Sequence, residues 1–86
     1  CANDLIASGA LLALNRKGIC VPKDVKVTGI DNIALSQYLI PPLTTIDLHG
    51  YQVGVECAQM LIARLRDNVA LSKKLIECEI VKRESV

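Results

Sequence analysis

The sequence predicts an α/β protein, and three features support that class. Its 86 residues are 51% hydrophobic, yet Trp and Phe are absent, so the apolar side chains are Leu, Ile, Val and Ala. This composition is typical of sheets that are covered on both faces. Stretches in which apolar residues recur at helical spacing also alternate with stretches in which every second residue is apolar. Because a chain this short buries only about 60–65% of its unfolded surface, we expect a partner chain or further sequence to complete the core.

The first predicted element is a helix over "NDLIASGALLALNRKG", residues 3–18. Asn3 or Asp4 can cap its start, and Gly18 suits the left-handed position after its end. Almost every residue between these ends is apolar, so the polar stripe of a helix with one solvated face is missing. We therefore expect this helix to be covered on two sides.

Three further elements follow the first helix. A strand over Val25–Ile30 leads into a short helical turn in "NIALSQYL", with Asp31 or Asn32 as its cap. The prolines and β-branched residues of "IPPLTTIDL" predict an extended crossing between subdomains. Residues 49–68, "HGYQVGVECAQMLIARLRDN", predict a second helix with one polar face, and residues 73–86, "KKLIECEIVKRESV", a half-exposed strand.

Composition argues against several functions. The net charge is +1 with scattered Lys and Arg, so no basic stripe or stacking aromatics favour nucleic-acid binding by these residues. No apolar run is long enough to span a membrane, and the first residues lack a signal-peptide pattern. The cysteines at positions 1, 20, 57 and 78 form no CxxC pair and lie away from His49. We therefore predict no metal site, and expect reduced, buried thiols in a cytoplasmic protein.

Asp31 is the main candidate for chemistry. It follows a predicted strand, and ligands of open α/β sheets bind beyond the carboxyl ends of the strands. A carboxylate in that position needs partners, because burying it unpaired costs several kcal/mol. Ligand hydroxyls would serve, but Asp31 could equally cap the following turn, and Asn3 presents the same choice.

No catalytic set emerges from the sequence. Its serines have no paired base nearby in the sequence, and no Gly-rich phosphate loop is present. His49 precedes a helix and is expected to be a surface or capping residue, while Glu77 and Glu79 share a solvated face. We predict no enzymatic activity and no cofactor.

Three landmarks, in this order, resemble the effector-binding domain of the lactose-repressor and galactose-repressor family of bacterial transcription regulators. They are "AND" running into the helix and "RKGICVPKDVKVTGIDN", then "YLIPPLTTIDL", then "LIECEIVKRES". The combination of "VPKDVKVTGIDN" with "PPLTTI" is the most specific signal. The resemblance implies a periplasmic-binding-protein-like (type I) fold, in which two Rossmann-like subdomains with parallel sheets are joined by three crossing strands around an effector.

The resemblance also implies which part of that fold the chain represents. Residues 1–42 would belong mainly to the C-terminal subdomain, and residues 43–73 would form a crossing strand and a helix of the N-terminal subdomain. Residues 74–86 would form the returning strand. The chain would thus be a C-terminal portion of the sensing domain. DNA would be bound only by a helix-turn-helix in a missing N-terminal domain.

By position, the resemblance assigns effector contacts to Asn3 and Asp31, and the effector would be a sugar or related small metabolite. The family pairs its protomers partly through the first helix and the turn after the aspartate, so Leu11, Leu12 and Tyr38 are expected at a homodimer interface. The alternative is that these leucines face other parts of the same chain. Two other functions stay open, namely a periplasmic sugar-binding protein for transport and a stand-alone interaction domain that dimerises through its first helix.

Overall fold

The computed structural model describes residues 1–70 and 72–86. Helices and strands alternate along the chain, as an α/β protein requires. The elements are helix α1 (Asp4–Arg16), a 3₁₀ turn (Ala34–Tyr38), strand β1 (Thr45–Asp47), helix α2 (Gly50–Asp67) and strand β2 (Glu79–Val81). Within the described ranges, no helix combines the length and the apolar character needed to cross a bilayer.

Helix α1 begins and ends as its sequence predicts. The side-chain oxygen of Asn3 accepts a hydrogen bond of 2.9 Å from the backbone N–H of Ile6, which satisfies a free donor of the first turn. Gly18 follows the helix with a φ of +70°, the left-handed conformation expected there. One face is buried through Ala7 and Leu11. The described residues supply no second cover, and the following side chains stay exposed: Leu5, Ile6 and Leu12.

The predicted strand over Val25–Ile30 is an extended segment that pairs in parallel with the chain entering β1. The N–H of Gly29 donates to the carbonyl of Thr44 at 3.0 Å, and the N–H of Ile46 donates to the carbonyl of Gly29 at 3.3 Å. The N–H of Asp31 continues the ladder to the carbonyl of Ile46 at 2.8 Å. Because the pairing is parallel, both segments end at the same edge of the sheet. We call this the carboxyl edge.

Strand β1 also pairs with β2, in antiparallel orientation. The register places Thr45 opposite Val81 and Asp47 opposite Glu79. The closing strand predicted over residues 73–86 is too long, because regular pairing is limited to the three residues of β2. Before β2, the chain instead runs beside α2.

A small apolar core lies between α1 and the extended segments. It consists of Ala7, Leu11, Val27 and Leu43. Ser85 closes the core near the end of the chain, because its buried hydroxyl donates to the carbonyl of Val27 at 2.6 Å and accepts from the N–H of Thr44 at 2.8 Å. Both hydrogen bonds matter, since a buried polar group without a partner costs about 1–3 kcal/mol.

Helix α2 buries none of its residues. Its apolar face, which sequence spacing predicts to be covered, stays open, with Tyr51 89% exposed and Leu65 75% exposed. The molecule is consequently elongated, at 59 × 17 × 17 Å. Its radius of gyration is 17.6 Å, whereas a compact domain of this length has about 12 Å. The described residues therefore provide no cover for this face of α2.

The thiols do not follow the prediction. All four cysteines are exposed, so the expected burial is wrong. Cys57 and Cys78 line an open groove between α2 and the segment that precedes β2. The apolar segments that carry the cysteines do not pack into a core of their own, which is why the thiols stay accessible.

Candidate functional site at the carboxyl edge

Helix α1 starts at the carboxyl edge, next to the end of the extended segment. The N–H of Asp4 donates to the carbonyl of Ile30 at 2.9 Å. This bond brings together the two residues that the sequence singled out, because Asn3 immediately precedes Asp4 and Asp31 immediately follows Ile30. The candidate site is therefore a single locality rather than two separate loops.

Asp31 is exposed, and within residues 1–70 and 72–86 no group donates a hydrogen bond to its carboxylate. It does not cap the next turn, because the 3₁₀ turn has Ile33 as its N-cap residue and no side-chain capping bond. The capping role that the sequence allowed for Asp31 or Asn32 is thus wrong. Ligand contact by Asp31 stays a prediction, and its carboxylate is free for it.

Asn3 does cap α1 through its side-chain oxygen. Its side-chain NH₂ group has no acceptor among the described residues. One side chain can therefore satisfy the helix and still offer donors at the edge, since an amide carries both an acceptor and two donors. Capping and effector contact do not exclude each other at this position.

Asp4 is fully buried beneath the edge. Its Oδ1 accepts from the hydroxyl of Thr45 at 2.6 Å, and its Oδ2 accepts from the N–H of Ile33 at 3.0 Å. One carboxylate thereby joins the start of α1, the turn after Asp31 and strand β1. Such donors are what a buried carboxylate requires. Asp4 is a structural residue of the site and does not cap α1.

Asp47 is a further acid of the carboxyl edge, at the end of β1. Its Oδ2 accepts from the amide of Asn32 at 2.9 Å, and its Oδ1 accepts from the N–H of His49 at 2.7 Å. The Asn32 amide, and then the His49 backbone N–H, hold the pKa of the Asp47 carboxyl below its usual value. An acid at the end of a strand is the pattern that indicates Asp31, and Asp47 has the same pattern at the end of β1, so this local signal could have identified it.

His49 lies between two carboxylates and is partly exposed, in keeping with the predicted surface position. Its Nδ1 is 3.6 Å from Oδ1 of Asp47, and its Nε2 is 3.9 Å from Oε2 of Glu79. Its side chain does not cap α2. In the described part of the chain, no three His, Cys, Asp or Glu side chains are grouped so that they could hold a metal ion.

The three residues predicted for a subunit interface lie in different environments. Leu11 is 4% exposed and belongs to the core, whereas Leu12 is 52% exposed and Tyr38 is 73% exposed. A groove of 340 Å³ runs between α1 and the 3₁₀ turn. It is lined by Ser8, Leu11, Leu12, Asn15, Tyr38, Leu39 and Ile40. The three residues therefore meet at one groove, with Leu11 shared between the groove and the core.

Comparison with known proteins places this chain in a family. Residues 1–86 match the family described as a periplasmic binding protein-like domain. The transcriptional repressor CytR of Escherichia coli is 38% identical over 86 residues, which cover 99% of this chain and 25% of CytR. The transcriptional repressor PurR of Vibrio atlanticus is 40% identical over 88 residues, which cover all of this chain and 26% of PurR. The chain thus spans about a quarter of the length of these curated relatives.

Solved structures of similar proteins support the same family. The lac repressor dimer bound to operator and an anti-inducer superposes with a TM-score of 0.90 at 32% identity, covering 98% of this chain and 29% of that chain. The CelR–cellobiose complex superposes with a TM-score of 0.91 at 31% identity, covering 99% of this chain and 26% of that chain. The fold class and the resemblance that the motifs indicated are both confirmed. This chain belongs to the periplasmic binding protein-like domain family, and the relatives that it matches are transcriptional repressors of the lactose-repressor kind.

Proposed function

We propose that the chain is part of the effector-sensing domain of a transcriptional repressor, and that Asp31 binds the effector. The observation that carries the proposal is the Asp31 carboxylate, which is exposed at the carboxyl edge and accepts no hydrogen bond from the described residues. Ligands of open α/β sheets bind at this edge. An unpartnered acid there is suited to accept hydrogen bonds from the hydroxyl or N–H groups of a small molecule.

The backbone at Asp31 supports the same role. Its φ is +111°, a conformation that L residues rarely adopt. Such strain is kept where the surroundings enforce it and where function uses the resulting geometry. The free NH₂ group of Asn3 is proposed to donate to the same effector from the other side of the Asp4–Ile30 hydrogen bond.

In the whole protein, residues 1–42 would lie mainly in the C-terminal subdomain, residues 43–73 would supply a crossing strand and a helix of the N-terminal subdomain, and residues 74–86 would return. The effector would be a sugar or related metabolite, and the structurally similar CelR was solved as a complex with the sugar cellobiose. Effector binding would shift the balance between two subdomain arrangements and so change DNA affinity elsewhere in the protein. We assign DNA binding to a helix-turn-helix outside these residues, and no catalytic role to the chain. The repressor relatives favour this function over sugar transport.

The effector assignment is tested with Asp31→Ala in the full-length protein. A thermal-shift screen of sugars and related small metabolites, beginning with cellobiose, identifies a ligand, and calorimetry measures its Kd. We expect Asp31→Ala to weaken binding by at least about tenfold, because a charged hydrogen bond contributes about 1.5–3 kcal/mol.

Asp67→Ala is the matched control, since it removes an exposed acid at the far end of α2. It should leave the Kd unchanged. Equal affinities of Asp31→Ala and wild type, with both proteins folded, would remove the effector role of Asp31.

We also propose that the groove between α1 and the 3₁₀ turn receives the same face of a second copy. Leu12, Tyr38 and the 85%-exposed Ile40 form a contiguous apolar surface around it. Contiguous exposed apolar surfaces of this kind mark protein contacts. A two-fold pairing would bring the two grooves together, and the structurally similar lac repressor is a dimer.

The dimer is tested by sedimentation velocity on full-length Leu12→Glu. A buried, unpaired carboxylate at the centre of the contact should dissociate the dimer at micromolar concentrations. Val25→Glu is the control, because Val25 is exposed but does not line the groove. A Leu12→Glu protein that stays fully dimeric would place the contact elsewhere.

A further inference from the structure

The turn that carries Asp31 has two consecutive non-glycine residues with positive φ, +111° at Asp31 and +50° at Asn32. The φ of Asp31 costs about 1–3 kcal/mol for an L residue, whereas asparagine enters the left-handed region more readily, so the turn does not hold its shape at Asp31 by its own preference. The side chain of Asp31 makes no hydrogen bond within the described residues, and its N–H reaches only the carbonyl of Ile46. Asp4 fixes the flanking residues Ile30 and Ile33, so within the turn itself the remaining contacts must come from the neighbour of Asp31.

Asn32 is that neighbour, and all of its polar groups except the carbonyl are bonded to other segments. Its N–H donates to the hydroxyl of Thr45 at 3.3 Å, and its side-chain NH₂ donates to Oδ2 of Asp47 at 2.9 Å. Its side-chain oxygen accepts from Nη2 of Arg83 at 2.7 Å. The amide thus lies between an acid from β1 and a guanidinium from the segment after β2.

Arg83 is itself held in place. Its Nη1 donates to the carbonyl of Leu43 at 2.8 Å and to the hydroxyl of Ser36 at 3.1 Å, and its backbone N–H donates to the hydroxyl of Thr44 at 2.8 Å. A planar guanidinium can serve these acceptors and Asn32 at once, which the single ammonium of a lysine does not reproduce. Arg83 is half-buried, so solvent screens these bonds only in part.

We propose that Asn32, clamped between Asp47 and Arg83, is the positioning residue for Asp31. Asp47 lies at the end of β1, and Arg83 lies just after β2, the strand that pairs with β1. Neither residue needs to contact the effector. Each acts through Asn32. The position of the effector-binding acid is thereby tied to the relative placement of β1 and the chain after β2. The effector part of this statement rests on the proposed function, whereas the clamp itself does not.

The clamp is tested in the ligand-free, full-length protein by amide hydrogen exchange resolved to single residues. Asn32→Gly removes the side-chain bonds while glycine adopts a φ of +50° without strain. Arg83→Lys keeps the positive charge but removes the planar guanidinium, whose several N–H groups serve different acceptors. We expect either change to speed exchange at the N–H groups of residues 31–33 by about ten- to a hundredfold, the loss that corresponds to one or two hydrogen bonds. Exchange in the middle of α1 should stay as in wild type.

Asn68→Gly is the matched control, because Asn68 also has a left-handed φ, +49°, and its side chain has no hydrogen-bond partner among the described residues. It should not change exchange at residues 31–33. The double variant Asn32→Gly with Arg83→Lys should exchange no faster than Asn32→Gly alone if Arg83 acts through Asn32. Additive effects, or acceleration spread evenly over α1, would show that Arg83 is only a general structural residue and would overturn the proposal.

Because the exchange experiment uses no effector, its outcome is independent of the calorimetric test of Asp31. A failed clamp leaves the effector assignment standing. A failed effector assignment leaves the clamp standing.

Discussion

Gly29→Ala should destabilise the full-length protein by about 2–4 kcal/mol, as measured by urea unfolding followed by circular dichroism. The reason is close approach rather than backbone conformation. A Cβ at Gly29 would overlap the Oδ1 atom of Asp4 and would lie 3.0 Å from Cδ2 of Leu43. Asp4 is fully buried and cannot swing into solvent without abandoning Thr45 and Ile33. The added methyl group therefore disturbs the packing of Leu43 and the two hydrogen bonds that the buried Asp4 carboxylate accepts.

Gly9→Ala is the control for this substitution. Gly9 lies within α1, and apart from the adjoining backbone of the helix no atom of the described residues lies within 4 Å of the Cβ position. Alanine is favoured over glycine in a helix by about 0.5–1 kcal/mol, so this variant should be as stable as wild type or more so. If Gly29→Ala were as stable as Gly9→Ala, the tight packing between the extended segment and α1 would be wrong.

Asp4→Ala should lower the free energy of unfolding by about 2–4 kcal/mol in the same measurement. The truncation leaves the N–H of Ile33 and the hydroxyl of Thr45 without their acceptor at a buried site. It also separates the three segments that meet at the carboxyl edge, so effector affinity should fall together with stability. Asp4→Asn should be less damaging, because the amide oxygen can still accept one of the two bonds.

A double-mutant cycle separates this contact from general disruption. Thr45→Val removes the hydroxyl while keeping the shape of the side chain. If Asp4 and Thr45 interact directly, the double variant should be more stable than the sum of the single losses predicts, by about 0.5–3 kcal/mol. Strict additivity would contradict the 2.6 Å hydrogen bond between them.

The local features of the fold were predictable from the sequence. The start of α1 at Asn3 and its left-handed stop at Gly18 depend on groups three or four residues apart, so capping rules suffice. Helix α2 was likewise predicted within two residues at each end. The closing strand was predicted too long, because alternation of apolar and polar residues shows which residues could pair but not where a partner strand ends.

The site was predictable only in part. The position of Asp31 after a strand follows from sequence, and the structure adds that its carboxylate has no partner among the described residues. The sequence does not indicate the burial of Asp4, since the same residue type at a helix start usually serves as a cap. Arg83 carried no local signal at all, because it lies 51 positions from the Asn32 oxygen to which it donates.

Local sequence patterns give the class of fold, the ends of the first helix and the edge of the sheet at which an acid appears. Helix caps, helix breakers and hydrophobic periodicity act over one or two turns of chain. They can therefore be recognised in the sequence without knowing which segments pack together. By contrast, it is contacts between distant parts of the chain that make Asp4 join three segments and bond Asn32 to both Asp47 and Arg83. These contacts depend on the register in which distant segments pair. Register is a property of the assembled sheet, because a shift of one residue would exchange the faces on which all the side chains lie.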